Sequence, residues 1–349
     1  MSGTSLDGID GVLASFDGGA VAVHAHEHRS FAPALRDELL ALNAPGPDEL
    51  HRAALAANAL ARGYAEVVAA LRRTCPEAVV CAIGAHGQTV RHRPGAVDGT
   101  GYTLQVNAPA LLAELSGLPV VADLRSRDLA AGGQGAPLVP AFHRACFGRP
   151  GVSLAVLNLG GIANLTWLPA AGAIAGFDSG PGNCLMDLWA QWHLGQPFDA
   201  DGAWAAGAEH DPALLARLLA EPYFALPPPK STGRDLFNEQ WLRSRLSGGD
   251  DARRVQATLL ELTARSVADA LHSRCPGARR LIACGGGVRN RRLMDRLGEL
   301  LAPLAVETSE RYGIAPSLVE AVAFAWLARR TLQELPGNLP SVTGARGAR

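Results

Sequence analysis

The chain has 349 residues, 48% of them hydrophobic, with a mean hydropathy of +0.08; that is the balance of a soluble globular protein, too long for one ordinary core, so two domains are expected. A net charge of −1 with no basic cluster standing apart from acidic neighbours excludes a nucleic-acid surface. No apolar run approaches the roughly 20 residues that span a bilayer, and no charged-then-apolar leader opens the chain, which leaves the cytoplasm as the expected compartment.

The chain opens with Ser2, Gly3, Thr4, Ser5, Leu6, Asp7, Gly8, Ile9 and Asp10, followed by strands predicted over 12–16 and 21–31. Small hydroxyl residues and glycines at the turn between two strands form a nest of N–H donors suited to phosphate, and Asp7 and Asp10 offer oxygen to a metal. The lysine of a Walker loop is missing, so this is not that motif; taken alone, the stretch also reads as a polar hairpin turn.

Helical spacing covers 33–42 and 48–73, with Asp48 as N-cap of the second. A strand over 79–83 runs into a loop carrying His86 and Gln88 between glycines, a hydrogen-bonding density that suits a sugar. Gln105 lies in a strand over 102–106, and Asn107-Ala108-Pro109 starts a helix. Beyond 119–122 come Arg125 and Asp128, then Gly132-Gly133-Gln134-Gly135. A guanidinium there can grip a carboxylate, or Arg125 and Asp128 can pair with each other; both readings stay open.

A domain change is expected near 149–151. A strand over 152–157, the turn Asn158-Leu159-Gly160-Gly161-Ile162-Ala163-Asn164 and a return strand repeat the opening pattern, which implies a nucleotide held between duplicated halves. The apolar 173–175 reads as a short strand that ends at G-F-D-S-G-P-G-N, residues 176–183, where Asp178 meets a cleft. An ordinary corner with Asp178 capping the next helix is the alternative. Lys230, the one lysine of the chain, follows three prolines; a lysine where arginine would not serve and a chance survivor are equally open readings. The helix over 255–272 buries Val255, Leu259, Leu262 and Val267, with Glu261, Arg265 and Asp269 expected on its other face. A strand over 281–284 enters Gly285, Gly286, Gly287 and Asn290, where absent side chains let a base or ribose lie on the backbone. Glu320 sits in a last helix over 317–335, and a Gly- and Arg-rich tail over 336–349 is expected to fray. The six cysteines form no C-x-x-C pair; buried reduced thiols are expected, without a metal or disulfide framework.

Taken together and in order, SGTSLDGID, HGQT, DLRSRD with GGQGAP, LNLGGIAN, GFDSGPGN, PPPKSTGRD, CGGGVRN and VEAVAFAWLA resemble the anhydro-N-acetylmuramic acid kinase family over nearly the whole chain. The resemblance implies the two-domain α/β fold of actin-like ATPases, shared by sugar kinases, Hsp70 and actin, with mixed sheets flanked by helices and ATP in the interdomain cleft. The domains would be 1–150 and 151–335, the C-terminal helix being a candidate to complete the first. The implied reaction opens the 1,6-anhydro bridge of anhydro-N-acetylmuramic acid and phosphorylates the freed 6-oxygen in murein recycling.

By the same resemblance, Asp178 is the general base toward water, and Glu320 lies near the sugar. Gly3 to Asp10, Asn158, Gly160, Gly161, Asn164, Gly285 to Gly287 and Asn290 bind ATP, with Asp7 or Asp10 ordering Mg²⁺. His86, Gln88, Gln105, Gly180 and Asn183 meet the sugar, and Arg125 takes the lactyl carboxylate. The family also implies a homodimer. Its members carry a short apolar strand before the SGTS turn, absent here, and a start codon placed late is the expected reason. A kinase of an ordinary hexose or N-acetylhexosamine, and a non-catalytic binding relic, are the alternatives.

Overall fold

A computed structural model describes the chain except for residues 4, 5, 19, 229 and 235. It divides into two compact units, Met1–Cys146 with Leu318–Arg349, and Phe147–Ser317. In chain order the first unit holds β1 (Gly8–Asp17), β2 (Ala20–Ser30), α1 (Pro33–Ala41), α2 (Glu49–Thr74), β3 (Ile83–Gly84), β4 (Gln88–Pro94), β5 (Gly101–Val106), α3 (Pro109–Ser116), β6 (Val120–Val121), α4 (Ser126–Ala130) and α5 (Val139–Phe147), the last reaching one residue past the division. The second holds β7 (Leu154–Leu159), β8 (Ile162–Leu168), β9 (Ala175–Pro181), α6 (Cys184–Leu194), α7 (Pro212–Leu219), α8 (Pro222–Ala225), α9 (Glu239–Arg243), α10 (Ala252–Arg274), β10 (Arg280–Cys284), α11 (Arg291–Leu301) and β11 (Ala305–Thr308). Helices α12 (Val319–Leu332) and α13 (Pro340–Thr343) return to the first unit.

The first unit has its strands in three two-stranded pieces: the β1–β2 hairpin, parallel β3–β6 and antiparallel β4–β5. Helix α2 buries Leu60, Tyr64, Val67 and Leu71 against Ile9 of β1. Gly84 lets α12 come close, since a Cβ there would stand 2.5 Å from the Phe324 carbonyl oxygen. The strand expected over 79–83 is realised only at its last residue. Residues 79–82 border a cavity of about 520 Å³, whose other walls include β1, α2 and α12, so their backbone finds no strand to pair with among the described residues. The apolar side chains stand out accordingly: Val79 is 93% exposed, and Cys81 is an exposed thiol where a buried one was expected.

At one end of this cavity Met1 and Asp10 exchange two backbone hydrogen bonds of 2.8 Å, the pattern of an antiparallel pair. Burial lowers the Met1 amino group to about pH 6, against the pull of Asp10 and Glu320. Open strand edges along a cavity leave N–H and C=O groups without ladder partners. Joining about six alternating apolar residues ahead of Met1 is therefore expected to raise the melting temperature by several degrees. A thermal melt unchanged by that extension would show that the cavity does not seat a strand.

The tail expected to fray is packed instead. Asn338 and Thr343 are buried and donate to the buried carboxylate of Asp128, while Gln134 N–H donates to the Thr343 carbonyl at 2.7 Å. Buried polar partners, invisible in a Gly- and Arg-rich composition, hold it in place.

The second unit is built on one mixed five-stranded sheet in the order β11-β10-β7-β8-β9, with β10 parallel to β7 and β11 and the other pairs antiparallel. Leu154, Ala155, Val156 and Leu157 of β7 are all buried, as a central strand covered on both faces requires. Helix α10 packs on this core through Val255, Leu259, Leu262 and Val267. Glu261, on the face opposite the apolar one as expected, is 3% exposed and accepts from Arg296 of α11 at 2.7 and 2.9 Å and from Arg265 at 2.8 Å. Burial alone would raise its pKa, but these guanidinium bonds outweigh it and hold it at about 2.

Candidate functional site

In the second unit the chemistry centres on Asp178. Strand β9 does not stop before the glycines, as expected, but runs through Asp178 to Pro181, because it continues to pair with β8. In that ladder Asp178 stands opposite Asn164, just past a register irregularity, so both side chains rise from one face. Asn164 Nδ2 donates to Asp178 Oδ1 at 2.8 Å, and the Thr232 amide donates to Oδ2 at 2.9 Å. The Asp178 amide donates to the Lys230 carbonyl at 3.1 Å, and Tyr223 Oη donates to the Asp178 carbonyl at 2.9 Å. The chain from 223 to 232 thus wraps the acid from both sides. Burial pushes the Asp178 pKa up, and the bonds from Asn164 and Thr232 with the charge of Lys230 recover only part of the shift. A carboxylate moved toward neutrality but kept oriented by two donors is a base in the making.

Lys230 Nζ donates to the carbonyls of Tyr223 and Phe224 at 3.2 and 3.3 Å and lies 4.6 Å from the centre of the Tyr223 ring. Its ammonium ties down α8 and reaches Asp178 through charge, while its main-chain carbonyl takes the Asp178 amide. Thr232 was not singled out from sequence. Its contribution is a main-chain amide, which no side-chain signal announces, together with a buried hydroxyl that has no partner among the described residues.

Beside this acid lies the turn between β7 and β8. The carbonyls of Gly160 and Gly161 face inward and accept from the amides of Asn183, Gly182 and Cys184 at 2.9 to 3.1 Å. No such turn bond from the Gly160 or Gly161 amide is found among the described residues, which leaves N–H groups for an anion. The exposed Arg234 guanidinium is near: a Cβ on Gly161 would stand 3.7 Å from its Nη2. Asp187, in the first turn of α6, is pushed up to about 7 by burial, against the pull of Arg234.

The second glycine run has divided duties. A Cβ on Gly285 would meet Asn158 Oδ1 at 2.5 Å, and one on Gly287 would meet Asn183 Oδ1 at 2.7 Å, so these two glycines serve packing. Gly286 faces open space, a bare backbone on which a nucleoside can lie. Asn290 caps α11 by accepting from the Leu293 amide at 3.0 Å. Asn183 packs against Gly287, and Gly180 makes room for the Phe224 ring, with a Cβ there 2.6 Å from it.

In the first unit the opening turn holds Leu6 and Ile9 in the core, while Thr4 and Ser5 lie outside the described residues. Gly3 accepts at its carbonyl from the Leu6 amide at 3.3 Å and from Gln88 Nε2 at 3.1 Å. Gly8 is pressed against β2, where a Cβ would overlap the Arg29 carbonyl. Gln88 Oε1 is buried without a partner among the described residues, an acceptor open to a ligand hydroxyl. Gln105 spends its amide on Thr89 and Thr103 at 3.2 and 2.7 Å, inside the β4–β5 pair.

His86, Arg125 and Glu320 come together. Arg125 donates from Nε and Nη2 to His86 Nε2 at 3.2 and 3.0 Å and from Nη1 to the Gly135 carbonyl at 2.8 Å. His86 Nδ1 contacts the Gly87 carbonyl at 2.6 Å, so its proton is there and Nε2 is the acceptor. Burial first and Arg125 second keep this imidazole neutral, with its pKa well below the usual histidine range. His86 therefore aims Arg125, whose two terminal nitrogens each keep an N–H in the fork geometry a carboxylate accepts. Burial raises the Glu320 pKa, opposed by Arg125 and reinforced by Asp10 and Asp7. Its carboxylate makes no hydrogen bond among the described residues.

These residues fit ATP through bare glycine backbone. For a divalent ion the fit is narrower: Asp10 Oδ1 is 2.9 Å from His28 Nδ1, and no group of three His, Cys, Asp or Glu suited to a metal occurs among the described residues. Mg²⁺ that keeps its waters and phosphate ligands needs only one or two carboxylates, which Asp7 and Asp10 can supply.

A family profile described as anhydro-N-acetylmuramic acid kinase matches residues 1–349. Curated proteins of that name include one from Variovorax paradoxus (strain S110), 59% identical, covering 100% of this chain and 96% of the relative. Another, from Albidiferax ferrireducens, is 57% identical with 100% and 96% covered, and one from Cupriavidus metallidurans is 54% identical with 100% and 94% covered. Among solved structures, the PilM–PilN type IV pilus biogenesis complex matches at TM-score 0.47 and 14% identity over 92% of this chain and 95% of that chain.

Proposed function

The chain belongs to the anhydro-N-acetylmuramic acid kinase family, and from that premise we propose how its residues divide the work on 1,6-anhydro-N-acetylmuramic acid. The reaction consumes the anhydrosugar, water and ATP and yields N-acetylmuramic acid 6-phosphate and ADP. The observation that carries the reading is Asp178, a carboxylate raised toward neutrality by burial yet fixed by two donors.

Asp178 takes a proton from water as the water oxygen bonds to the anomeric carbon and the bond from that carbon to the bridging 6-oxygen breaks. Neutral water is a weak nucleophile, and a placed base contributes roughly 10² to 10⁴ in rate. The partnerless Thr232 hydroxyl is a second anchor for that water. Bound ATP with Mg²⁺ supplies the phosphoryl group that the freed 6-oxygen accepts. The amide edge of Gly160 and Gly161, with Arg234 beside it, holds phosphate, and Gly286 meets the nucleoside. Asp7 and Asp10 would hold the Mg²⁺ that shields charge as the phosphoryl group moves. Arg125, aimed by His86, grips the lactyl carboxylate, Gln88 accepts from a sugar hydroxyl, and Glu320 orients the sugar.

A cytoplasmic homodimer completes the reading by family likeness, and no helix among the described residues is long and apolar enough to cross a membrane. Purified protein should convert the anhydrosugar, and neither glucose nor N-acetylglucosamine, to a phosphate ester in the presence of ATP and Mg²⁺. Better turnover of a plain hexosamine would favour an ordinary hexosamine kinase.

A further inference from the structure

We propose that the C-terminal tail, through Asn338 and Thr343, positions Arg125 and so sets the preference for a sugar bearing a carboxylate. The inference rests on the reading of Arg125 given above. Arg125 and Asp128 share one turn but do not pair. Between them stands Gly135, whose carbonyl accepts from Arg125 Nη1 at 2.8 Å and whose amide donates to Asp128 Oδ2 at 2.7 Å. The other carboxylate oxygen, Oδ1, accepts from Asn338 Nδ2 at 2.5 Å and Thr343 Oγ1 at 2.7 Å. Asp128 is 2% exposed, Asn338 6% and Thr343 1%.

This is a polar relay in a dry setting: tail donors fix the carboxylate, the carboxylate fixes the Gly135 amide, and the Gly135 carbonyl, on the other side of the same Cα, fixes one edge of the guanidinium. Two further main-chain bonds staple the same loop to the tail, Gln134 N–H to Thr343 O at 2.7 Å and Arg346 N–H to Ala131 O at 2.9 Å. Glycine is required at 135, where φ is +66° and a Cβ would overlap the Leu129 side chain, so the loop cannot readily relax another way. A buried carboxylate deprived of a donor pulls its remaining partners toward itself. The Gly135 carbonyl then turns, and Arg125 keeps its charge but loses its aim.

The test compares kcat/KM for 1,6-anhydro-N-acetylmuramic acid with that for 1,6-anhydro-N-acetylglucosamine, which lacks the lactyl carboxylate. Arg125→Ala is expected to lower the ratio about 50-fold, the loss of a charged hydrogen-bonded grip. Thr343→Val should lower the same ratio about fivefold, chiefly through KM, with the carboxylate-free sugar unaffected, and Thr343→Ser should restore it. Hydrogen exchange of the 133–135 amides should quicken in Thr343→Val alone. If Arg125→Ala changes the ratio and Thr343→Val does not, or if Thr343→Val slows both sugars alike, the tail has no positioning role. An unchanged ratio in Arg125→Ala removes the carboxylate reading itself and the preference built on it.

Discussion

Asp178→Asn is expected to cut sugar phosphorylation by about 10²- to 10⁴-fold while leaving the protein folded. The amide keeps the size of the side chain but has no basicity toward water. The pH dependence carries a sign. Asp178 must be ionised to act, so kcat should fall on the acid side of a pKa above the ordinary carboxylate range, because burial raises it. Stability runs the other way at this residue. A carboxyl whose folded pKa lies above its unfolded value of 3.8 favours the fold while protonated, and that contribution is lost as pH rises through the raised value. Near neutrality Asp178→Asn should therefore melt no lower than the parent, as expected for a site kept charged for function. A variant that retains more than a tenth of parental activity would remove Asp178 from the role of base.

The second large effect is Gly182→Ala. The Gly182 amide donates to Gly161 O at 2.9 Å, and a Cβ there would overlap the Gly160 carbonyl oxygen, with Ile162 C at 3.1 Å and Ala163 N at 3.2 Å. All three obstacles are backbone, so no rotamer change makes room and the turn itself must shift. The cost in stability should be about 1–3 kcal/mol, with ATP affinity, read by a fluorescent analogue, falling at least about tenfold as the amide edge moves. Gly298→Ala is the control: nothing lies within 4 Å of its Cβ, and neither stability nor affinity should fall. Full ATP affinity in a destabilised Gly182→Ala would mean that phosphates are held elsewhere.

Glycine-broken strands were legible in the sequence because their signals are local. The 158–164 turn, the 285–290 run and Asp178 are each marked by residues that regular structure avoids. What stayed hidden depends on contacts between distant segments. Strand β9 extends through the glycines because β8 is there to pair with. Glu261 is buried because Arg296, 35 residues on, crosses to meet it. Asn164 reads as a phosphate-turn residue and donates to Asp178, and His86 reads as a sugar ligand and accepts from Arg125. Composition marked the tail as polar, while its donors find Asp128 more than 200 residues away. In each case the residue type announced hydrogen bonding, and only the fold chose the partner.

The central claim is that one event couples water attack at the anomeric carbon to phosphorylation of the 6-oxygen. Turnover of the anhydrosugar with ATP and Mg²⁺ in ¹⁸O-labelled water, read by mass spectrometry within minutes, tests it most directly. The account predicts a sugar phosphate carrying one ¹⁸O at the anomeric carbon and none in the phosphoryl group, formed by the parent chain and not by Asp178→Asn. A phosphorylated sugar without the label, or equal product from Asp178→Asn, would contradict it.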